Sequence, residues 1–154
     1  MKESGVTISA GQRSDSIGPA GGPYDWFQRA GELLARGNPD AAAQLLERVL
    51  DAEPGSQAAL ESLGRARFDA RRYDEAAHAF ATLLECAPDN DYAHFGRGLC
   101  AWHLQQFETA HDHLAFAFVM RPQRAEYAKA LAQVKATIMA RIDGDLPLNG
   151  PLTS

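Results

Sequence analysis

The sequence predicts an all-α protein, a right-handed α-solenoid of three stacked helical hairpins closed by a capping helix. Three observations carry this. Ala42, Ala76 and Ala110 recur at an interval of 34 residues, and Pro54, Pro88 and Pro122 repeat that interval without insertion or deletion. A period in this range belongs to stacked supersecondary units rather than to one globular core. Within each period, apolar residues fall at helical spacing twice, on either side of a short polar turn. The apolar content, 45% of the chain, is rich in Ala and poor in Val and Ile. Such a make-up suits helices whose axes approach closely, because Ala costs least in a helix and takes little room.

Taken in order, residues 1–22 mix Gly, Ser, Thr and isolated charges and end in Gly18-Pro19-Ala20-Gly21-Gly22, which reads as a flexible leader. Folded sequence is expected from Pro23, a residue suited to a first helical turn. The blocks 23–56, 57–90 and 91–124 then repeat one plan. In the central block, Leu60, Leu63, Gly64 and Phe68 make the buried stripe of a first helix, and Ala70-Arg71-Arg72 make the turn. Arg71 and Arg72 fall where they complement the negative end of a helix dipole. A second helix carries Tyr73, Ala76, Phe80, Leu83 and Leu84, with Asp74 and Glu75 in its first turn, and Pro88 ends it. Gly64 corresponds to Ala30 and Gly98, and Phe80 to Leu46 and Leu114, so small residues recur where helices must touch. A last helix over 125–141 lines up Tyr127, Leu131, Val134 and Ile138 on one face and Lys129, Gln133 and Lys135 on the other, the pattern of a cap on a stacked array. Residues 142–154 return to Gly, Pro and Asp and read as a flexible tail.

Composition excludes several function classes. A net charge of -5 with scattered Arg offers no basic stripe for phosphates, so nucleic acid is not an expected partner. The opening segment lacks the apolar run of a secretory signal and no later run approaches a membrane span, so the expected location is cytoplasmic, with no membrane partner. Cys86 and Cys100 fall on predicted helices and read as reduced, partly buried thiols. No metal site and no cofactor are expected. Cys100 and His103 share a helix face without a third ligand, while His111 and His113, two apart on a helix, point in different directions. No strand, Gly-rich loop or nucleophile motif is present, so no catalytic residue is assigned and the protein reads as non-enzymatic.

Leu60, Leu63, Gly64, Ala76, Phe80 and Pro88, with Trp26, Ala42, Leu46 and Pro54 before them and Gly98, Ala110, Leu114 and Pro122 after, resemble the tetratricopeptide repeat pattern of W-x2-L-G-x2-Y, A-x3-F and P over one period. Two departures stand out: Arg29 and Arg97 replace a core Leu, and Leu33, Arg67 and Ala101 replace the Tyr. An Arg at such a place lays its methylenes over the helix and keeps its guanidinium in water, or is buried in an ion pair.

The resemblance implies that the first helices of the hairpins line a concave groove for a peptide or helix of another protein. By register the candidate partner-binding residues are Tyr24, Phe27, Leu34, Arg65, Phe68, Tyr92, Phe95, Leu99 and Trp102, with Tyr24, Phe27, Tyr92 and Phe95 nearer the rim. Relatives that grip the acidic carboxyl terminus of heat-shock proteins carry a clamp of Lys, Asn and Arg. Here Phe27, Gly31, Ser62, Tyr92 and Gly96 occupy those places, which favours a partner offering apolar side chains. The implied role is a protein-binding module, a small adaptor or chaperone-like scaffold. The alternatives are a protein like the three-repeat chaperones of type III secretion translocators, or an oligomerising regulatory subunit. The latter would act, as a homodimer for instance, through the convex residues Phe116 and Val119, whose plainer reading is packing on the capping helix.

Overall fold

Residues 20–152 are described by a computed structural model of the chain; residues 1–19, most of the expected leader, and the last two residues lie outside them. Seven helices follow in order, α1 (Pro23–Ala35), α2 (Pro39–Ala52), α3 (Gln57–Asp69), α4 (Tyr73–Cys86), α5 (Asp91–His103), α6 (Phe107–Met120) and α7 (Ala125–Asp143), and the described residues contain no strand. Each helix packs on the next. The odd-numbered helices also touch one another, whereas the backbones of α2, α4 and α6 stay apart. The array thus has a closed face made of α1, α3, α5 and α7 and a furrowed face made of α2, α4 and α6.

Local signals set the boundaries. The Ser56 and Asn90 side chains accept from the amides of Ala59 and Ala93 at 3.2 and 2.9 Å, capping α3 and α5. Pro23 and Pro39 begin α1 and α2, where no amide donor is needed. All three hairpins turn through the left-handed region at positions one period apart, Gly37 (φ 79°), Arg71 (φ 62°) and Gln105 (φ 59°). In each, the following amide reaches back over the helix end: Asn38 N–H donates to Leu33 O, Arg72 N–H to Arg67 O and Gln106 N–H to Ala101 O, each at 2.8 Å. Arg71 is therefore the turn residue itself, and Arg72 Nε donates to Asp40 Oδ1 at 2.9 Å, tying the start of α4 to the start of α2. The sequence places both arginines in the turn and gives them a dipole role, and the bond from Arg72 to Asp40 adds to that.

The core is a chain of three clusters, one per hairpin. Leu46, Phe80 and Leu114 stand at one repeat position and are almost wholly buried, opposite Ala30, Gly64 and Gly98. Removing any of the three would cost about 2–5 kcal/mol. The Phe80 ring needs two glycines. A Cβ on Gly64 would meet it at 2.7 Å and one on Gly96 at 2.5 Å, so the ring tip sits between α3 and α5 where neither helix can carry a side chain. Leu114 presses on Gly98 in the same way, at 2.7 Å.

At the carboxyl end the expectation was a helix to residue 141 and a loose tail. Instead α7 runs to Asp143, and the segment beyond folds back. The Arg141 side chain, 6% exposed, donates from one guanidinium nitrogen to Pro147 O (3.0 Å) and Gly150 O (2.8 Å) and lies 4.6 Å over the Phe107 ring. Gly150 N–H donates to Gln105 O, and Asn149 exchanges two hydrogen bonds with Glu108. A buried guanidinium must find acceptors, and these carbonyls supply them.

Candidate partner-binding groove

The predicted residues stand on α1, α3 and α5, with different degrees of exposure. Tyr24 is 74% exposed at the start of α1. Phe27 is half-buried: it packs on the first core cluster and borders a crevice of about 220 Å³ with Tyr24, Val49 and Glu53. Leu34 leans on the same cluster. Arg65 is exposed on α3.

At the other end of the groove the aromatics make a connected set. Phe68 meets Tyr73 and His103 edge-on at 5.3 and 5.4 Å, and Tyr73 stacks on His103 at 4.1 Å. Tyr92 covers Phe80 edge-on at 6.2 Å and neighbours Phe95 at 6.3 Å. Phe95, expected near the rim, lies 4.7 Å from the Tyr127 ring of α7 and belongs with Leu99 and Trp102 to the third core cluster. Trp102 meets Phe107 edge-on at 5.2 Å. These four remain half-buried, so each offers an edge to solvent while its body supports the stack.

The middle of the groove is polar. Glu61, Asn90, Asp91, Tyr92, Arg121 and Arg124 border a crevice of about 400 Å³ between α3 and the α5 and α7 amino ends. Tyr127, fully buried and expected only as a cap residue, donates its hydroxyl to Asp91 Oδ2 at 2.7 Å, while Arg121 Nε approaches Asp91 Oδ1 at 3.5 Å. Burial disfavours ionising Asp91, but the Tyr127 hydroxyl and the Arg121 charge outweigh it and hold the carboxyl below its ordinary range. Burial, then the bond to Asp91, raises the Tyr127 phenol. Glu61 lies the other way: burial and the nearby Asp91 charge raise its carboxyl, and exposed Arg65 opposes them.

The two arginines at core-Leu positions divide. Arg29 is exposed and Arg97 half-buried, and neither forms an ion pair among the described residues, in keeping with side chains that snorkel. Arg67, at a Tyr position, instead bridges Glu47 at 2.6 Å and Glu75 at 2.7 Å across the furrowed face.

Cys86 is exposed rather than partly buried, and Cys100 is buried, its thiol pushed up to about 12 by burial. Among the described residues no three His, Cys, Asp or Glu are placed to hold a metal ion, and no helix is long and apolar enough to cross a membrane.

Sequence reasoning missed a histidine pair between α5 and α6. His94 Nε2 lies 2.9 Å from Pro88 O and must donate there, so neutral His94 accepts at Nδ1 from His113 Nδ1–H across 3.0 Å. Phe116, exposed on α6, stacks on His94 at 4.1 Å, and Val119 on the same helix is 76% exposed.

A family model for the tetratricopeptide repeat matches residues 33–95. The described helices form the repeating hairpins of the tetratricopeptide repeat fold. These hairpins superpose on the first tetratricopeptide domain of human RPAP3 with a TM-score of 0.73 at 17% identity, covering 79% of this chain and 98% of that one. The same domain of Spaghetti (RPAP3), bound to the HSP90 peptide SRMEEVD, gives 0.73 at 16% identity over 76% and 93%. The MamA fragment from Desulfovibrio magneticus RS-1 gives 0.71 at 19% identity over 80% and 67%. At such identities the likeness is one of fold. The Protein CTR9 homolog of Arabidopsis thaliana is 29% identical over 110 residues, 71% of this chain, and the chain spans only 10% of that protein. The repeat fold supports a scaffold for protein–protein interaction.

Proposed function

We propose that this protein is a non-enzymatic adaptor that holds an apolar segment of a partner protein along α1, α3 and α5. The observation that carries the reading is the composition of that face at the places where a carboxylate clamp would stand. Tyr92 lies over Phe80, and Gly96 is so close to the Phe80 ring that any side chain there collides with it. The RPAP3 domain of the same fold holds an acidic peptide. In this chain the corresponding end of the groove offers half-buried rings, which gain most from an apolar partner side chain that dries their exposed edges. Because the stack is preformed, a flexible partner alone supplies the ordering cost.

Peptide-library selection on the immobilised protein, followed by calorimetry, tests this. Selected peptides should share apolar anchors, and Phe27→Ala with Tyr92→Ala should weaken them roughly a hundredfold, two anchors of about 1.4 kcal/mol each, with little change in far-ultraviolet dichroism. Selection of peptides with acidic carboxyl termini, or equal binding by the double variant, would refute the reading.

A further inference from the structure

The concave face leaves unexplained a furrow of about 890 Å³ on the opposite side, between α2 and α4, with α3 as its floor. Its origin lies in the repeat. Moving one period along, Leu60, Ala79 and Thr82 become His94, His113 and Phe116. At that place the three rings pack on one another, His94 stacking on Phe116 at 4.1 Å and lying 5.2 Å from His113. Between α2 and α4 the same backbone geometry carries a leucine, a methyl group and a threonine whose hydroxyl is already bonded to its own helix at His78 O. Relative to the next repeat this gap lacks two planar rings, and Leu50, Leu63 and Ala79 give it an apolar lining.

The rim has a definite charge. Glu47 and Asp51 stand on the α2 side, Asp74 and Glu75 on the α4 side. Arg67 is the one Arg or Lys among the described residues bordering the furrow, where His78 also stands, and is engaged by Glu47 and Glu75 together, whose side chains stay 54% and 52% exposed. Asp51 and Asp74 make no ion pair among the described residues. Four carboxylates against one guanidinium leave the rim at a formal charge of -3.

We propose that this furrow is a second docking site, taking a basic segment of another protein that inserts an aromatic side chain between α2 and α4 and sets Lys or Arg against the rim carboxylates. Charge complementarity and a ring-shaped vacancy select the occupant together. An acidic or purely aliphatic segment satisfies neither. The site is separate from the concave groove, so one chain can join two partners.

The test uses a fluorescent synthetic peptide of Lys, Arg and Trp, with a control in which Glu replaces every basic residue. The expected result is saturable binding at low salt, weakened as salt screens the rim, with amide shifts confined to α2, α3 and α4. Asp51→Lys with Asp74→Lys should weaken it by about tenfold or more. Ala79→His with Thr82→Phe fills the furrow as the next repeat does and should abolish binding. If the filled variant melts early, the charge-reversed variant decides alone. Absence of saturable binding, unchanged affinity in the charge-reversed variant, equal capture of the control, or shifts confined to α1 and α5 would overturn the proposal. So would concentration-dependent mass in light scattering lost on filling, which would assign the furrow to a second copy of the chain.

Discussion

Gly96→Ala isolates the contact that joins the second and third hairpins. In an exposed helix this change would stabilise by about 1 kcal/mol, because Gly carries the larger backbone entropy. Here the added methyl would sit 2.5 Å from the tip of the Phe80 ring, itself 2% exposed and held on its other side by Gly64, where a Cβ would stand at 2.7 Å. The ring has nowhere to retreat. Overpacking of this kind costs about 1–3 kcal/mol, so the expected sum is a destabilisation of up to about 2 kcal/mol. Phe80→Leu reproduces the residue found at this position in the other two hairpins, Leu46 and Leu114, and removes the ring tip. In that background Gly96→Ala should become neutral or stabilising, a coupling of about 1–3 kcal/mol between the two positions. Urea unfolding followed by far-ultraviolet dichroism measures all four corners of the cycle. Additivity within about 0.5 kcal/mol, or stabilisation by Gly96→Ala alone, would refute the reasoning.

Three further changes have definite expected outcomes. Arg71→Gly removes a Cβ from a left-handed turn residue and should raise stability by about 1 kcal/mol in thermal melts, the more so because Arg71 forms no ion pair among the described residues. Arg141→Ala deprives the Pro147 and Gly150 carbonyls of a charged donor, so amides of residues 146–150 should exchange freely in hydrogen-exchange experiments and stability should fall by about 1.5–3 kcal/mol. Burial, with help from Arg97 and His94, lowers His113 to about 4. A histidine depressed in the folded state from its ordinary value near 6.5 favours folding fully above that value and loses its contribution as pH falls through the window down to about 4. The melting temperature should therefore drop on acidification across this window, and His113→Gln, which keeps a hydrogen-bonding side chain without the titration, should flatten the drop.

The architecture was legible because each repeated residue does one steric task. Ala42, Ala76 and Ala110 are wholly buried, and Leu46, Phe80 and Leu114 occupy one socket, so the period written in the chain is the period of the packing. The groove was legible as a face and less so residue by residue. Register alone sets Gly96 among groove positions, whereas the Phe80 ring from α4 takes its space. Register also leaves Phe95 near the rim, and only the docking of α7, with Tyr127 against it, shows how much of the ring supports the stack. The histidine pair joins His94 to His113 across two helices, 19 residues apart, an interval that belongs to no period. The folded-back tail rests on a guanidinium meeting main-chain carbonyls, and carbonyls leave no trace in composition.

The two furrows show why a strict repeat can still differentiate. In the third hairpin the rings of His94, His113 and Phe116 pack on one another, and position 101 is Ala. One period earlier the rings are absent, and the equivalent of Ala101 is Arg67, whose guanidinium reaches both walls through Glu47 and Glu75. Helices that do not touch need something between them, because water alone would leave the apolar floor formed by Leu50 and Leu63 wet. Stacked rings occupy the later repeat, while in the earlier one a pair of half-exposed ion bridges crosses the furrow and leaves its floor accessible. The array thus varies its sequence outside the alanine and leucine sockets that keep the helices in register. It is at positions outside those sockets that a surface can be opened, charged or filled without disturbing the stack.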